Sequence, residues 1–498
     1  MTASTSSGAE PADSRLRHDT TPGRANVELL VVGLGALVVS LSQSVLVPVL
    51  GELNEEFGAS ASWLLTSTLL VAAVSVPIMG RLGDMFGKRL MLLVAMGALT
   101  VGSLIDALSH QLAWLIVGRA LQGAAGAAIP LGISLLATLL PREKAGSGIA
   151  LISAMLGVGG ALGLPLAGFV AQNWDYHALF WINTVVGAIA FVGIAALVPE
   201  SRQRAGGRVD LVGAVLLAAG LVCLILPLEQ SHAWGWTSLR VPGLLVLSAL
   251  IFAVFAAIEL RQKEPLVDLA ALRRRPILLT NIASICFGFA LFASLLGTAT
   301  FVEAGRWTGY GFGSSLLVGG LTMLPSGLAM LVFSPVAARL IDRYGGPRVL
   351  ALGALVVAAG WLVRIVLTDH LWQVIVGATV VGIGTGIGYA SIPSIINAFT
   401  PSHEIAAANG LNTLFRSLGS TLATAAGTSI LASSIVYHVV DGKVVGGASS
   451  LTAYRWLFAA CAVAAVLAAL LVVTIRRDDG EAAATSAHDD LVSAADAT

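Results

Sequence analysis

Three arginines lie inside long apolar runs of this chain: Arg119, Arg364 and Arg416. An ionisable group within a membrane helix costs about 2.5–3.5 kcal/mol on insertion scales, so it marks a pathway or a specific pair. Arg119 stands in Gly118-Arg119-Ala120-Leu121-Gln122-Gly123-Ala124-Ala125-Gly126. There Arg119 and Gln122, three apart, share a polar helix face, and the glycines offer small faces to a neighbouring helix. Asp106 precedes the turn near residue 111 by about as much as Arg119 follows it, so two antiparallel helices bring them to similar depth. Asp106 either pairs with Arg119 or reaches external water. Arg416 lies about ten residues into its run, near mid-membrane, and either meets a substrate or clamps carbonyls between helices. Arg364 lies nearer an external end and suits a structural, snorkelling role.

A second group sits between apolar runs, in Gly80-Arg81-Leu82-Gly83-Asp84-Met85-Phe86-Gly87-Lys88-Arg89. It reads as a charged loop whose glycines permit a tight turn. Asp84 is suited to accept from exposed N–H groups at a helix start, with Arg81, Lys88 and Arg89 as counter-charges. A weaker copy, Ala338-Arg339-Leu340-Ile341-Asp342-Arg343-Tyr344-Gly345, repeats the Arg, Leu, Asp and Gly in register. Likewise Trp114–Gly118 ahead of Gly123 resembles Val374–Gly377 ahead of Gly382. Shared spacing of this kind implies two homologous bundles. In the second copy Ala378 takes the place of Arg119, so proton-linked chemistry is expected mainly in the first half. Between residues 157 and 168 lie Gly159, Gly163, Pro165 and Gly168. Close packing plus a proline kink suits an element that seals a cavity yet moves.

Composition decides what can carry these groups. Of 498 residues, 56% are hydrophobic and only 11% charged, and the mean hydropathy is +0.87. That leaves too little polar surface for soluble domains of this length. The 28 basic and 28 acidic side chains cancel, which gives no footprint for nucleic acid. Cys223, Cys286 and Cys461 lie in apolar runs and read as packing residues. The eight histidines are scattered, so neither a metal site nor a cofactor is expected. Gly83–Arg89 falls short of a phosphate loop by one residue between its glycines, lacks the Ser or Thr, and follows no strand. An enzyme or ATP-driven pump is therefore not expected.

Runs long enough to span a bilayer fall near 29–50, 62–80, 90–109, 112–138, 147–171, 178–198, 209–229, 241–260, 277–302, 314–335, 349–367, 372–397, 406–436 and 454–475. With the N-terminus inside, only Arg240, Arg306, Lys443 and Arg455 fall on the external side, and 21 of the 28 basic residues are cytoplasmic. That bias supports fourteen spans with both termini cytoplasmic in the plasma or inner membrane. The expected fold is an all-α polytopic membrane protein of two six-helix bundles plus two inserted central helices. Its parts are a disordered tail (1–28), a first bundle (29–199), a linker with two helices (200–276), a second bundle (277–476) and a disordered tail (477–498). The segment Glu264–Arg275 reads as a surface connector.

On these motifs the chain resembles the fourteen-helix drug–proton antiporter branch of the major facilitator superfamily. Gly80–Arg89 resembles that branch's signature between the second and third helices. Arg119 with Gln122 and Gly123 resembles the fourth-helix signature, whose arginine is thought to assist proton transfer. Gly159–Gly168 resembles the fifth-helix antiporter signature, with Leu164 where a glycine usually stands. The resemblance implies proton-coupled export of small apolar or amphipathic molecules by alternating access. Partners would be a small-molecule substrate, protons and the bilayer, with no nucleic acid and the chain acting as a monomer. Proton coupling and conformational change would rest on Asp84, Arg81, Arg89, Asp106, Arg119 and the Gly159, Gly163, Pro165 and Gly168 set.

One departure matters. Relatives of this branch usually carry an aspartate early in the first helix, where this chain reads Val39-Ser40-Leu41-Ser42-Gln43-Ser44-Val45. Ser42 and Gln43 hydrogen-bond but carry no proton at neutral pH. Another acid must then titrate, with Asp84, Asp106 and Glu303 as candidates. Candidate cavity residues are Gln43, Gln122, Asn281, Ser326, Ser394, Asn412 and Arg416. The alternatives are a dedicated exporter or importer of one metabolite, or a non-transporting membrane sensor of the same fold.

Overall fold

The structure is a computed structural model that describes residues 22–201, 204, 210–262, 265–441 and 443–475. The two tails lie almost wholly outside the described residues, though the first helix already starts at Pro22, inside the stretch expected to be tail. In the first bundle α1 (Pro22–Ser44) continues into a helix over Leu46–Phe57. It is followed by α2 (Ser62–Phe86), α3 (Lys88–Leu108), α4 (Leu112–Leu139), α5 (Arg142–Asn173) and α6 (His177–Leu197). The inserted pair is α7 (Leu211–Glu229) and α8 (Arg240–Glu259). The second bundle is α9 (Arg275–Glu303), α10 (Leu316–Tyr344), α11 (Gly346–Val366), α12 (Leu371–Ala398), α13 (Ile405–Ala432) and α14 (Leu451–Val473).

Among the described residues, 13 helices are long and apolar enough to cross a membrane. The remaining one, α13, has 28 residues, and at 1.5 Å per residue that spans about 42 Å. Asn409, Asn412, Thr413, Arg416 and Ser417 dilute its apolar character, and these side chains turn toward protein rather than lipid.

The duplication is visible in the packing. In the first bundle α1 lies against α5 and α6, α2 against α4, and α3 against α4 and α6. In the second bundle α9 lies against α13 and α14, α10 against α12, and α11 against α12 and α14. Glycines let the helices approach at matching places: a side chain on Gly102 of α3 would strike Leu121 and Gln122 of α4. One on Gly360 of α11 would strike Val381 of α12. The bundles meet along two seams, α2 with α13 and α5 with α10. The inserted pair packs on itself, with the Ser248 hydroxyl donating to the Gly220 carbonyl at 2.8 Å. It also touches α2 and α13, so it lies over one of the two seams.

Two local expectations are corrected. Gly80–Arg89 is not a loop: helix runs through Phe86 and resumes at Lys88, leaving a corner at Gly87 alone. The second copy likewise turns only at Gly345. The helices persist because the charged residues find partners on neighbouring elements, as described below. The helix expected to run to 436 ends at Ala432, and an antiparallel hairpin follows, β1 (Ile435–Val440) with β2 (Lys443–Ser449). Alternating residues such as Tyr437, Val439 and Val444 favour extended backbone, and Asp441 at φ 51 makes the turn.

Candidate functional site

The corner at Gly87 is built around a glycine with φ 133, a backbone geometry that a side chain resists. Glu200, after α6, sits against this corner and accepts from the backbone N–H of Arg89 (3.0 Å) and Leu90 (3.1 Å). Glu200 thereby caps the start of α3, while the Arg89 guanidinium donates to the carbonyl of Ala195. These two contacts bind the corner to its own bundle.

Asp84, one turn before the corner, does the opposite and reaches across to the other bundle. Its Oδ1 accepts from the N–H of Ala406 at 3.2 Å and its Oδ2 from the N–H of Ala407 at 2.8 Å. Both donors belong to the first turn of α13, where N–H groups have no partner within the helix and the dipole favours an anion. Lys88 pairs with Asp84 at 3.6 Å, both side chains fully buried, and its Nζ donates to the Ser402 carbonyl at 3.5 Å. The equivalent Asp342 in the second copy is exposed. Only one of the two corners is engaged.

Deeper in the first bundle, Asp106, Arg119 and Gln122 are buried together. Asp106 and Arg119 do come to the same depth, but no direct ion pair joins them. Gln122 stands between: its Nε2 donates to Asp106 Oδ2 (2.6 Å), and its Oε1 accepts from Arg119 Nη1 (2.7 Å). The Ser42 hydroxyl donates to the same Oε1 at 2.8 Å, and Arg119 Nη1 also donates to the Ser42 carbonyl at 3.1 Å. Ser42, in the segment that lacks an acid, is thus tied to this relay. Asp106 Oδ1 and Arg119 Nε have no hydrogen-bond partner.

The glycines of α5 divide their work. Side chains at Gly159 and Gly163 would collide with α1, the first with Ser40 and the Leu37 carbonyl and the second with the Ser44 hydroxyl, so these two allow α1 and α5 to touch. A side chain at Gly168 would lie 2.8 Å from Leu316 backbone atoms, and one at Gly320 would lie 2.7 Å from Pro165. Gly168 and Pro165 therefore form part of the seam with α10. The Ser334 hydroxyl of α10 donates to the Ala150 carbonyl of α5 further along the same seam.

Between the bundles lies a cavity of about 170 Å³. Its wall is mainly apolar, with Gln43, Arg119, Glu229, Tyr389 and Arg416 as the larger polar groups. Arg416 stacks over the Tyr389 ring at 5.3 Å from its centre. Of the residues expected to line a cavity, Gln43 and Arg416 do so. Gln122 is turned into the relay. Asn412 donates to Asn281 Oδ1 (2.8 Å) and Ser284 Oγ (2.7 Å), joining α13 to α9. Asn281 also borders a second crevice of about 480 Å³ near the Asp84 end, where Arg81 lies. Ser326 lies against Gly382, packing α10 on α12, and neither it nor Ser394 lines the central cavity. Glu303 lies against Gly319 at the end of α9 opposite to Asp84. Among the described residues no group of His, Cys, Asp and Glu has the arrangement of a metal site.

Glu200, Tyr389 and Glu229 escaped the sequence reading. Glu200 and Glu229 each end an apolar run and there look like ordinary boundaries. Tyr389 sits among glycines and carries no motif of its own.

Two repeated bundles around a cavity that both walls share form the architecture of a membrane transporter. The Major Facilitator Superfamily model matches residues 32–327 and 288–494, and the chain belongs to that family. It is 30% identical to the tetracenomycin C resistance and export protein of Streptomyces glaucescens, over 83% of this chain and 77% of that one. It is 28% identical to the multidrug resistance protein Stp of Mycobacterium tuberculosis, over 81% of this chain and 75% of that one. In fold it resembles the crystal structure of the human organic anion transporter MFSD10 (TETRAN), with a TM-score of 0.66 at 16% identity. That likeness covers 91% of this chain and 100% of the other.

Proposed function

We propose that this chain exports small apolar or amphipathic molecules in exchange for protons, by alternating access between its two bundles. The observation that carries this reading is the central cavity, whose wall combines apolar side chains with Arg119 from one bundle and Arg416 from the other. Sites for drug-sized ligands usually occupy about 300–1,000 Å³, so a cavity of about 170 Å³ must widen to take one. Widening requires the bundles to part, and the Asp84 contact to α13 is the polar tie that parting at that end would break. We place that end at the cytoplasm, with both termini on the same side, because the basic residues concentrate there.

The names of the relatives, a resistance and export protein and a multidrug resistance protein, support drug-like substrates. The relay of Asp106, Gln122 and Arg119 supports coupling to protons, since it sets an acid, an amide and a guanidinium in one hydrogen-bonded chain deep in the first bundle. Drug extrusion into everted membrane vesicles tests the reading. Uptake should be independent of ATP and collapse with a protonophore. ATP-independent extrusion that survives collapse of the gradient would rule out proton coupling and favour a facilitator for a single metabolite. A panel of compounds tested on deletion and overexpression would identify the substrates.

A further inference from the structure

The inserted pair lies over the seam between α2 and α13, yet the end of α7 enters the space between the bundles. Two consecutive residues there hold opposite bundles. Gln230 Nε2 donates to the Thr66 hydroxyl of α2 at 3.1 Å. Glu229 faces the Thr421 hydroxyl of α13. A few residues on, Trp236 Nε1 donates to the Ser429 hydroxyl, again on α13, at 3.0 Å. At the Asp84 end α2 and α13 touch directly: a side chain on Gly410 would lie 3.0 Å from the Val76 carbonyl. At the opposite end the tip of α7 fills the gap between the same two helices.

Glu229 also lines the central cavity, and it is the only carboxylate among the lining residues. Its Oε1 is buried with no protein donor. The elements packed against α7 are α2, α8, α13 and the short helix Ser231–Trp234. On them, Arg81 and Asp84 are at the far end of α2, and Glu259 at the far end of α8. Arg240 of α8 lies over Trp234, Glu404 precedes α13, and His232 belongs to the short helix. Arg416 of α13 and Arg119 across the cavity share the wall with Glu229, and no ion pair joins either to it. A carboxyl so placed is costly when charged and dry, and cheap when charged and wetted. It suits a group that trades a proton with water as the cavity opens to one side and then to the other.

We propose that Glu229 is the proton-exchanging acid of the central cavity, in place of the carboxylate the first helix lacks. The proton enters from water on the external side, neutralises the Glu229 carboxylate, and leaves to cytoplasmic water when the Asp84 end parts. Substrate travels the other way while Glu229 is charged. This rests on the proton-exchange reading above.

The full chain in proteoliposomes, with tetracenomycin C as the probe, separates the two. Wild-type protein and Glu229→Gln are compared for uptake driven by an imposed pH gradient and for counterflow without one. The expected result is that Glu229→Gln loses gradient-driven uptake by about tenfold or more, the size of a typical site-to-site coupling, while counterflow stays within about twofold. Retained gradient-driven uptake in Glu229→Gln overturns the proposal. So does loss of counterflow in folded protein, which makes Glu229 a substrate contact instead. Wild-type transport indifferent to the gradient overturns the proton-exchange reading itself. A pH titration by infrared difference spectroscopy then still decides whether Glu229 titrates, from a carboxyl band absent in Glu229→Gln. Should Glu229→Gln not fold, Thr421→Val removes only the hydroxyl partner and should displace the pH profile of uptake without lowering its maximum. An unmoved profile overturns the assignment.

Discussion

Asp106 lies against Gly118 as Arg364 lies against Gly377, so the two repeats place opposite charges at one and the same helix crossing. The surroundings give them different work. Asp106 joins the relay through Gln122. Arg364 has no hydrogen bond for either terminal nitrogen and instead lies over Phe458 (4.3 Å) and Trp361 (4.7 Å). A desolvated cation over aromatic rings is worth about 2 kcal/mol. Arg364→Ala should therefore lower the melting temperature in detergent and leave the pH dependence of uptake unchanged. Asp106→Asn should do the reverse. Equal loss of coupling in both variants would remove the distinction.

Asp84→Asn keeps the size of the side chain but loses the charge and one acceptor. Charge-assisted hydrogen bonds contribute about 1.5–3 kcal/mol each, and Lys88 would be left buried without its counter-ion. The closed state at this end should lose about 2–4 kcal/mol. Transport in vesicles should fall sharply while binding of substrate, measured by fluorescence quenching, stays near the wild-type value. Lost binding would show that the corner belongs to the substrate site.

Arg119→Lys tests the relay. A guanidinium reaches the Ser42 carbonyl and Gln122 Oε1 with one nitrogen and keeps further donors in a fixed plane, which a lysine ammonium does not reproduce. Gradient-driven uptake should fall about tenfold or more in both Arg119→Lys and Arg119→Ala, as expected for loss of site coupling. Extrusion that is intact in Arg119→Ala would shift the coupling half away from the first bundle.

The glycines of α5 give a paired control. A methyl at Gly159 would press on the Leu37 carbonyl, whereas one at Gly160 would stand 3.6 Å from the nearest atom of Leu295. Gly159→Ala should destabilise the protein by about 1–3 kcal/mol, the usual cost of overpacking. Gly160→Ala should be nearly neutral in stability, read as thermal unfolding in detergent. Similar losses at both positions would mean that helix bending, not the seam with α1, governs this segment.

Much of this architecture was readable along the chain, and the limits are instructive. The order of the helices was legible because charged residues and turn glycines punctuate apolar runs, and the duplication showed in Asp84 and Asp342. The ends at 80 and 335 fell short by six and nine residues because Arg81, Asp84, Arg339 and Asp342 stay helical. The depth of Asp106 and Arg119 followed from antiparallel geometry. What did not follow was the intervening Gln122, because three apart on a helix says only that two side chains share a face. Asn412 looked like a cavity residue and is spent on Asn281 and Ser284. Glu229 was invisible for a different reason: its partner Thr421 is remote in sequence, and periodicity carries no information about which helix end enters a cleft.

The bridging by Glu229 and Gln230 bears on how this chain could be shortened. A version without α7 and α8 would keep both bundles. It would also leave Thr66 and Thr421 facing each other across an unfilled slot, and remove the one carboxylate from the cavity wall. If Glu229 exchanges the proton, the insertion is not a detachable cassette, and a twelve-helix descendant of this chain would need a new acid at that slot.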